Sequence, residues 1–294
     1  MKRILILGAT GMLGHKLVQS FRDRFDTWTT TRASFARLER FGIYAKDRTI
    51  SGIDAGDVDS IVDAVGKCRP DVIVNCIGII KQLPEAHDPV VSLKINSLLP
   101  HQMGRLCRAS GARLIHISTD CVFNGKKGNY TESDPSDAED LYGKTKFLGE
   151  VSGEGCLTLR TSIIGREMTS SKSLIDWFLS HRGKKIKCFA KAVYTGLTTN
   201  RFAEIIATII ESHENLSGLY QVSSDPIDKY ELLKLANRHY GAGVDIEKDT
   251  DFFCDRSLNS SRFREAAGFT PPSWESMMEE MANDPTPYDS WRQA

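Results

Sequence analysis

Two side chains four residues apart, Tyr142 and Lys146, are the best candidates for chemistry in this sequence. Residues at that spacing share one face of a helix, and residues 141–150 are predicted to form one. A tyrosine hydroxyl can protonate a carbonyl oxygen as hydride reaches the carbonyl carbon, but its ordinary pKa of about 10 makes this slow at neutral pH. A nearby lysine ammonium would stabilise tyrosinate and lower that pKa. The pair therefore predicts general-acid catalysis.

A third side chain, Thr119, completes the candidate set. It follows an apolar run at 114–118 that predicts a buried strand, and the carboxyl ends of parallel strands face the ligand crevice of an open α/β sheet. Thr119 is placed there to hydrogen-bond an oxygen on which charge develops. The tyrosine–lysine spacing alone is a weak signal, because Tyr230 and Lys234 repeat it. The first pair is favoured by its position in the chain, after the strand that ends at Thr119.

The residues that would hold a hydride donor lie at the start of the chain. Residues 4–7 are uniformly apolar, as in a strand covered on both faces, and Gly8, Gly11 and Gly14 follow at intervals of three. From Leu13 onward the apolar residues fall on one helical face. A helix N-terminus attracts an anion, and glycine lets the backbone approach a pyrophosphate closely. The pattern predicts a dinucleotide-binding turn; the alternative is an ordinary glycine-rich turn.

Strands and helices alternate through the first half of the chain. Strand-like runs occur at 27–32, 50–54, 71–76, 114–118 and 156–160. This alternation predicts an α/β fold with a Rossmann-type doubly wound parallel sheet. We expect residues 1–158 to form this dinucleotide-binding domain. Residues 159–294 should form a smaller, mainly α-rich substrate part, with the chain crossing back to the first domain and a strand near 218–222.

A long helix is predicted over residues 88–110, with Pro100 as the expected site of a kink. Asn96 lies inside this helix, where asparagine is intrinsically disfavoured. It is interpreted either as a buried hydrogen-bonding residue or as a solvated one, and the sequence does not decide between them.

The end of the second predicted strand indicates which dinucleotide binds. An acidic residue there would bond the 2′-hydroxyl of NAD, but this strand ends in Thr31 and Arg32. The Arg32 guanidinium could hold a 2′-phosphate, so NADPH is favoured and NADH is the alternative, unless Arg32 is simply a solvated side chain. Further along, Asp54 and Asp57 precede a predicted helix. Helix capping alone would be enough to explain aspartate at these positions.

Composition argues against several classes of function. Lys plus Arg and Asp plus Glu both number 38 in the 294 residues, so no net charge favours nucleic acid or an anionic membrane. No apolar run is long enough to span a bilayer. The seven cysteines include no Cys-x-x-Cys pair, which favours a reduced, cytoplasmic protein. The seven histidines do not pair at zinc-ligand spacing, so no metal is predicted.

Together these motifs resemble those of the extended short-chain dehydrogenase/reductases, and within them the dTDP-4-dehydrorhamnose reductases. The resemblance covers nearly the whole chain and rests on GATGMLG at 8–14, DVIVNC at 71–76, STDCVFNG at 118–125, YGKTKFLGE at 142–150, LRTSIIG at 159–165, TGLTT at 195–199 and DRSLNSSRF at 255–263. It implies reduction, by NADPH or sometimes NADH, of the 4-keto group of a nucleotide-linked 6-deoxyhexose. The chain departs from that family at Cys121, where tyrosine is usual, and at Arg256, which lacks the following proline.

The complete predicted site follows from the motifs and the resemblance together. The predicted dinucleotide contacts are Gly8, Thr10, Gly11, Met12, Leu13, Gly14, Arg32, Asp54, Ala55, Asn75, Cys76, Ile77, Tyr142 and Lys146. The predicted contacts of a nucleotide-diphosphate sugar are Thr119, Asp120, Cys121, Tyr142 and Arg256. Thr119, Tyr142 and Lys146 are the catalytic residues, and Lys146 also holds the nicotinamide ribose. Dimers are common in the superfamily, which leaves a homodimer possible, although the sequence shows no interface signature.

Two other functions are compatible with the sequence. A sugar-nucleotide epimerase or 4,6-dehydratase would share the fold, but the resemblance implies Asp-Glu after the threonine in dehydratases, and here Cys121 follows Asp120. A non-catalytic, NADP-binding regulatory subunit would also have this fold, as a reductase-like subunit of methionine adenosyltransferase does. The presence of Thr119, Tyr142 and Lys146 favours an enzyme.

Overall fold

The computed structural model describes residues 1–293. Its strands are β1 (Arg3–Leu7), β2 (Asp26–Thr31), β3 (Thr49–Ser51), β4 (Val72–Asn75), β5 (Arg113–Thr119), β6 (Cys156–Thr161), β7 (Ile163–Ile164), β8 (Lys185–Tyr194), β9 (Leu197–Thr198), β10 (Gly218–Gln221), β11 (Ile227–Asp228) and β12 (Asp245–Asp255). Its helices are α1 (Gly14–Phe21), α2 (Phe35–Leu38), α3 (Val58–Cys68), α4 (Pro89–Ser92), α5 (Leu99–Ser110), α6 (Leu141–Leu148), α7 (Leu174–Leu179), α8 (Thr199–Ser212), α9 (Lys229–His239), α10 (Ser261–Ala267), α11 (Trp274–Ala282) and α12 (Tyr288–Gln293). A π-helical segment, Leu93–Leu98, joins α4 to α5, so the long predicted helix is interrupted just before Pro100.

Seven strands form one parallel sheet in the order β10, β6, β5, β4, β1, β2, β3. Ile4 of β1 pairs with Thr27 of β2 on one side and with Val72 of β4 on the other. The chain therefore winds outward from β1 in two directions, and ligands bind such sheets in the crevice at this reversal. The prediction of a Rossmann-type doubly wound parallel sheet is confirmed.

Strand β1 is covered on both faces, which explains its uninterrupted apolar run. Ile4 and Ile6 belong to a cluster that includes α1 and α8, whereas Leu5 and Leu7 belong to a second cluster with α3 and α5. All four side chains are fully buried. Burying a side chain of this size contributes about 1.5–3 kcal/mol, so packing on both sides fixes the strand that leads into the glycine turn.

The C-terminal part contains a second sheet. Strands β8 and β12 pair in parallel, and β11 pairs antiparallel to β8. In β8, Ile186 and Cys188 are buried while Lys185, Lys187 and Phe189 are exposed. This alternation is typical of a strand with one covered face and is visible in the sequence. Helix α9 packs on β8 and β12, so the predicted α-rich part also contains long strands.

Residue 158, the predicted end of the dinucleotide-binding domain, lies inside β6. Strand β10, close to the predicted position at 218–222, joins the edge of the seven-stranded sheet, where Leu219 pairs with Thr158. The later chain thus contributes a strand to the first sheet, and a division at residue 158 remains a prediction.

Within residues 1–293, no helix combines the length and the apolar character needed to cross a membrane. Within the same residues, no three His, Cys, Asp or Glu side chains meet in a way that could hold a metal ion.

Two histidines in the core should make folding depend on pH. Burial lowers the pKa of His15 to about 4 and that of His116 well below its ordinary value. Lys16 adds to the lowering at His15, whereas a backbone hydrogen bond, Asp284 and Asp176 oppose it. In the unfolded chain the pKa is about 6.5, so the unfolded state binds more protons between about pH 6.5 and about pH 4. Stability therefore falls as the pH falls through this window.

We expect His15 alone to remove about 3 kcal/mol of unfolding free energy as the pH falls from about 6.5 to about 4. Urea denaturation at several pH values in this window measures the slope for wild type, His15→Gln and His87→Gln, the last replacing an exposed histidine. The His15 variant should show the shallowest slope. Equal slopes in all three proteins would contradict the assignment.

Candidate active site

A cleft of about 740 Å³ lies at the carboxyl edge of the parallel sheet. The glycine turn, the ends of β4 and β5, and the start of α6 form one side of it. The predicted site residues in its walls are Gly11, Met12, Leu13, Cys76, Ile77, Thr119, Asp120, Cys121, Tyr142, Lys146 and Arg256. The predicted residues outside its walls are Gly8, Thr10, Gly14, Arg32, Asp54, Ala55 and Asn75. The structure therefore brings the three predicted catalytic side chains together with the glycine turn.

The turn between β1 and α1 requires glycine at two of its three positions. Gly8 has a φ of +77°, a left-handed conformation that favours glycine. A Cβ on Gly14 would lie 2.2 Å from the carbonyl oxygen of Gly8, so only glycine lets α1 begin this close to the strand. A Cβ on Gly11 would lie 3.3 Å from the same oxygen, which is far less restrictive. This close-packed strand, turn and helix fits the binding of a pyrophosphate.

Helix α6 holds Tyr142 and Lys146 over the end of β5. Asp140 caps the helix by accepting a hydrogen bond from the Gly143 amide at 2.7 Å. A Cβ on Gly143 would lie 2.1 Å from a carbonyl oxygen of the segment after β5, so the helix packs directly on that segment. The Lys146 ammonium donates to the carbonyl oxygen of Ile117 in β5 at 2.7 Å. Cap, glycine contact and ammonium together fix this face of α6.

Burial sets the charge states of the tyrosine and the lysine. It raises the pKa of Tyr142; Cys121 adds to this increase and the Thr119 hydroxyl opposes it. It lowers the pKa of Lys146 to about 8, and Glu150 opposes that change. The sequence predicted that Lys146 lowers the pKa of Tyr142, whereas the structure shows a raised pKa and an ammonium bonded to a main-chain carbonyl. The phenol therefore keeps its proton at neutral pH, as a proton donor must.

Thr119 lies beside a carboxylate that accepts a hydrogen bond from its hydroxyl. Its Oγ1 donates to Asp120 Oδ1 at 3.1 Å and accepts from the Cys121 amide at 3.1 Å. The other Asp120 oxygen accepts from Ser162 Oγ at 2.8 Å. Thr119 can therefore donate to a substrate oxygen only when its hydroxyl hydrogen turns away from Asp120. The sequence analysis missed Ser162, which meets Asp120 only because β5 and β6 pair side by side.

Two buried asparagines support the segment that follows β4. Asn75 Oδ1 accepts from the Ile77 amide at 3.0 Å, and Asn75 Nδ2 lies 3.2 Å from His116 Nδ1. Asn96 Oδ1 accepts from the Ile79 amide at 2.8 Å, and its Nδ2 donates to the Ile79 carbonyl oxygen at 3.0 Å. Asn96 is therefore a buried hydrogen-bonding residue, which decides between the two interpretations. Asn75 does not line the cleft itself, but it supports the cleft wall by bonding the amide of Ile77.

The predicted dinucleotide contacts Arg32, Asp54 and Ala55 lie beyond this cleft. Arg32 directly follows β2, the neighbour of β1, and its side chain is exposed. Asp57 caps α3 by accepting from the Asp59 amide at 3.1 Å, and Asp54 Oδ1 accepts from the Gly56 amide at 2.8 Å. Local capping and turn bonds therefore account for both aspartates.

Two cations, Arg256 and Lys81, line the cleft. Arg256 Nε donates to the Phe123 carbonyl oxygen at 2.7 Å, and its Nη1 lies 3.8 Å from Cys121 Sγ. Lys81 pairs with the capping carboxylate of α6 at 2.6 Å, and its Nζ lies 5.6 Å from the centre of the Tyr142 ring. The sequence analysis missed Lys81 because it lies in an irregular loop. Two cations beside the cleft suit a phosphate-bearing substrate.

Comparison with known proteins places the chain in a family. Residues 1–243 match the family described as RmlD substrate binding domain. The chain belongs to this family. Two relatives are each 32% identical over 149 residues: a dTDP-4-dehydrorhamnose reductase of Streptomyces griseus, with 50% of this chain and 43% of the relative covered, and the methionine adenosyltransferase 2 subunit beta of Mus musculus, with 51% and 42% covered. The match thus spans less than half the length of these relatives.

A solved structure shows that the fold likeness extends over the whole chain. The dTDP-4-dehydrorhamnose reductase of Bacillus anthracis str. Ames, determined in complex with NADP, superposes with a TM-score of 0.78 at 21% identity. The alignment covers 96% of this chain and 98% of that one. This structure shares the fold, and the family match over residues 1–243 confirms the family resemblance inferred from the sequence motifs.

Proposed function

We propose that this chain catalyses the NADPH-dependent reduction of the 4-keto group of a nucleotide-linked 6-deoxyhexose. The observation that carries the proposal is the convergence of Thr119, Tyr142 and Lys146 with the glycine turn on one cleft. Carbonyl reduction needs a proton donor, a charge partner for it, an oxygen-positioning group and a hydride donor at one place. The names of the Streptomyces griseus relative and the Bacillus anthracis structure support this choice of substrate.

In this proposal the chain's own residues act on the oxygen of the substrate carbonyl. The chemistry that a bound NADPH supplies is hydride for the carbonyl carbon. Tyr142 transfers its hydroxyl proton to the carbonyl oxygen, so that the ketone becomes an alcohol. Lys146 stabilises the phenolate that remains. Thr119 hydrogen-bonds the same oxygen once its hydroxyl has turned from Asp120.

The remaining predicted substrate contacts are assigned by their place in the cleft. Asp120 and Cys121 directly follow Thr119 in the same wall, so we assign them to the sugar. Arg256 is held by its bond to a main-chain carbonyl, which leaves part of its guanidinium for a ligand. We assign the diphosphate to Arg256, with Lys81 as the second cation nearby.

Preference for NADPH should depend on Arg32, because we assign the 2′-phosphate to this exposed guanidinium directly after β2. Arg32→Ser is expected to raise the Kd for NADPH by about 10- to 100-fold, the effect of losing hydrogen bonds between charged groups. The Kd for NADH should change by less than about threefold, since NADH lacks that phosphate. Isothermal titration calorimetry measures the Kd values of both dinucleotides. Arg105→Ser, on the exposed face of α5, is the control. Equal losses for NADPH and NADH would contradict a 2′-phosphate contact.

The proposed activity is tested by NADPH oxidation with a panel of nucleotide-linked 4-keto-6-deoxyhexoses. We expect oxidation with at least one sugar and a new hydroxyl group at C4 of the product, detected by NMR. If the protein binds NADPH but oxidises it with none of these sugars, the proposed 4-ketoreductase activity is rejected.

A non-catalytic NADP-binding subunit is the second candidate. It is favoured by the similarity to the methionine adenosyltransferase 2 subunit beta, and binding without turnover would support it. A dehydratase or epimerase is less well supported, because the acid–base position after Asp120 is held by Cys121. Burial raises the pKa of that thiol to about 12, so it does not exchange protons readily at neutral pH.

A further inference from the structure

The end of the chain contacts the glycine turn through a buried histidine. His15 follows the last glycine of the turn and is fully buried. Its Nδ1 lies 2.9 Å from the Gly11 carbonyl oxygen, and its Nε2 lies 2.8 Å from the hydroxyl of Tyr288 in α12. One imidazole thus joins Gly11, a residue of the predicted dinucleotide site, to Tyr288, which lies 273 positions after His15.

The direction of these hydrogen bonds follows from elementary chemistry. A neutral imidazole carries one N–H and one acceptor nitrogen, and a carbonyl oxygen can only accept. Nδ1 must therefore carry the hydrogen that bonds Gly11, and Nε2 must accept from the Tyr288 hydroxyl. Burial lowers the pKa of His15 to about 4, so the neutral form persists at neutral pH. The Gly11 carbonyl thereby sets the tautomer, and the Tyr288 hydroxyl holds the imidazole in place by donating to its other nitrogen.

A second tyrosine of the same cluster bonds the turn from another side. Tyr44 donates from its hydroxyl to the Ala9 carbonyl oxygen at 3.0 Å. Tyr44 packs on an apolar cluster that includes Tyr288 and Trp291 of α12. The Ala9 carbonyl therefore bonds Tyr44 and the Gly11 carbonyl bonds His15. Both of these side chains contact α12.

Holding a carbonyl also orients the amide on the other side of the peptide bond. In a planar trans peptide the C=O and N–H groups point in opposite directions. The bonds to Ala9 and Gly11 thus direct the amides of Thr10 and Met12 away from the cluster. Among residues 1–293, neither of these amides has a hydrogen-bond acceptor. They are free to donate to an anion at the turn.

Ion pairs hold the C-terminal segment in place at both ends. Asp284 pairs with Lys16 of α1, and both side chains are less than 10% exposed. Arg292 pairs with Asp176 of α7 at 2.7 Å. Because α7 contributes Trp177 to the cleft wall, the segment contacts both the glycine turn and an element of the second half of the chain.

We infer that residues 284–292, here called the C-terminal clamp, are a positioning element for dinucleotide binding. Through Tyr288 and His15 the clamp fixes the peptide between Gly11 and Met12 in the orientation that presents its amide to a phosphate. The inference rests on the proposed binding of a dinucleotide at the glycine turn. Tyr288 and His15 are positioning residues, since they act through the turn.

The test compares two tyrosines that each lose one hydroxyl. Tyr288→Phe removes the bond to His15 and keeps the ring, whereas Tyr240→Phe removes a similar bond, 3.1 Å long, to the carbonyl oxygen of Met281, away from the turn. The Kd for NADPH is measured by isothermal titration calorimetry. Hydrogen exchange of the Gly11 and His15 amides, which donate to the Gly8 and Gly11 carbonyl oxygens at 3.1 Å, is measured by NMR without dinucleotide. Tyr288→Phe should raise the Kd about three- to tenfold and speed exchange in the turn. Tyr240→Phe should change neither, although it lowers Tm similarly.

A second pair of variants separates positioning from general stability. His15→Gln keeps one donor and one acceptor in a side chain of similar reach, whereas His15→Leu keeps neither. The glutamine variant should bind NADPH more tightly than the leucine variant. Unchanged Kd and exchange in Tyr288→Phe, or equal increases in both tyrosine variants, would overturn the inference. A wild-type protein that binds no NADPH would instead reject the proposed dinucleotide site, and with it the clamp's effect on affinity.

Discussion

Tyr142→Phe is expected to lower kcat for reduction of the keto sugar by about 10²- to 10⁴-fold, the usual contribution of a positioned proton donor. The Kd for NADPH should stay within about threefold of wild type, because the variant keeps the ring and loses only the hydroxyl. Stopped-flow absorbance of NADPH under single-turnover conditions measures the chemical step, and isothermal titration measures binding.

The physical reason is that Tyr142 is the proposed proton donor and shares one face of α6 with the Lys146 ammonium. Burial keeps the proton on Tyr142, and the Lys146 ammonium is bonded to a β5 carbonyl on the same face of α6. Tyr142 and Thr119 both line the cleft. Loss of the hydroxyl leaves the developing alkoxide without its proton source.

The chain offers a matched control in Tyr230→Phe. Tyr230 also precedes a lysine by four residues, and the Lys234 ammonium lies 5.4 Å from its ring centre. This second pair lies on α9, and Tyr230 is outside the walls of the cleft. Its substitution should leave kcat unchanged. Equal losses in the two variants, or wild-type turnover by Tyr142→Phe, would contradict the proposed role of Tyr142.

Local patterns in the sequence were sufficient to predict the frame of the site. The apolar run before Gly8 and the helical period after Leu13 describe a strand, a turn and a helix, all of which depend on nearby residues. The four-residue spacing of Tyr142 and Lys146 likewise places both on one helical face, whatever surrounds the helix. Such features need no knowledge of which distant segments meet.

What the sequence could not predict depends on contacts between distant segments. Ser162 bonds Asp120 because β6 lies beside β5, and His15 bonds Tyr288 because α12 packs against α1. The direction of the Tyr142 pKa shift was predicted wrongly for the same reason, since it depends on burial by residues remote in sequence.

Gly14→Ala is expected to impair both folding and dinucleotide binding. The added Cβ would lie 2.2 Å from the Gly8 carbonyl oxygen and 2.8 Å from the Ala9 Cα, both backbone atoms that cannot rotate away. Helix α1 or the turn must therefore shift, at a cost of about 1–3 kcal/mol of unfolding free energy. Misplaced amides lose hydrogen bonds to the charged pyrophosphate, which should raise the Kd for NADPH about 10- to 100-fold. Urea denaturation and isothermal titration measure the two effects.

Gly66→Ala is the matched control for that substitution. Gly66 lies on the exposed face of α3, and a Cβ there would meet no atom within 4 Å. Because alanine is the better helix former, this variant should gain about 0.5–1 kcal/mol of stability and bind NADPH as wild type does. The same chemical change thus destabilises the turn and stabilises the helix. Wild-type affinity for NADPH in Gly14→Ala would show that the dinucleotide does not depend on the close packing of this turn.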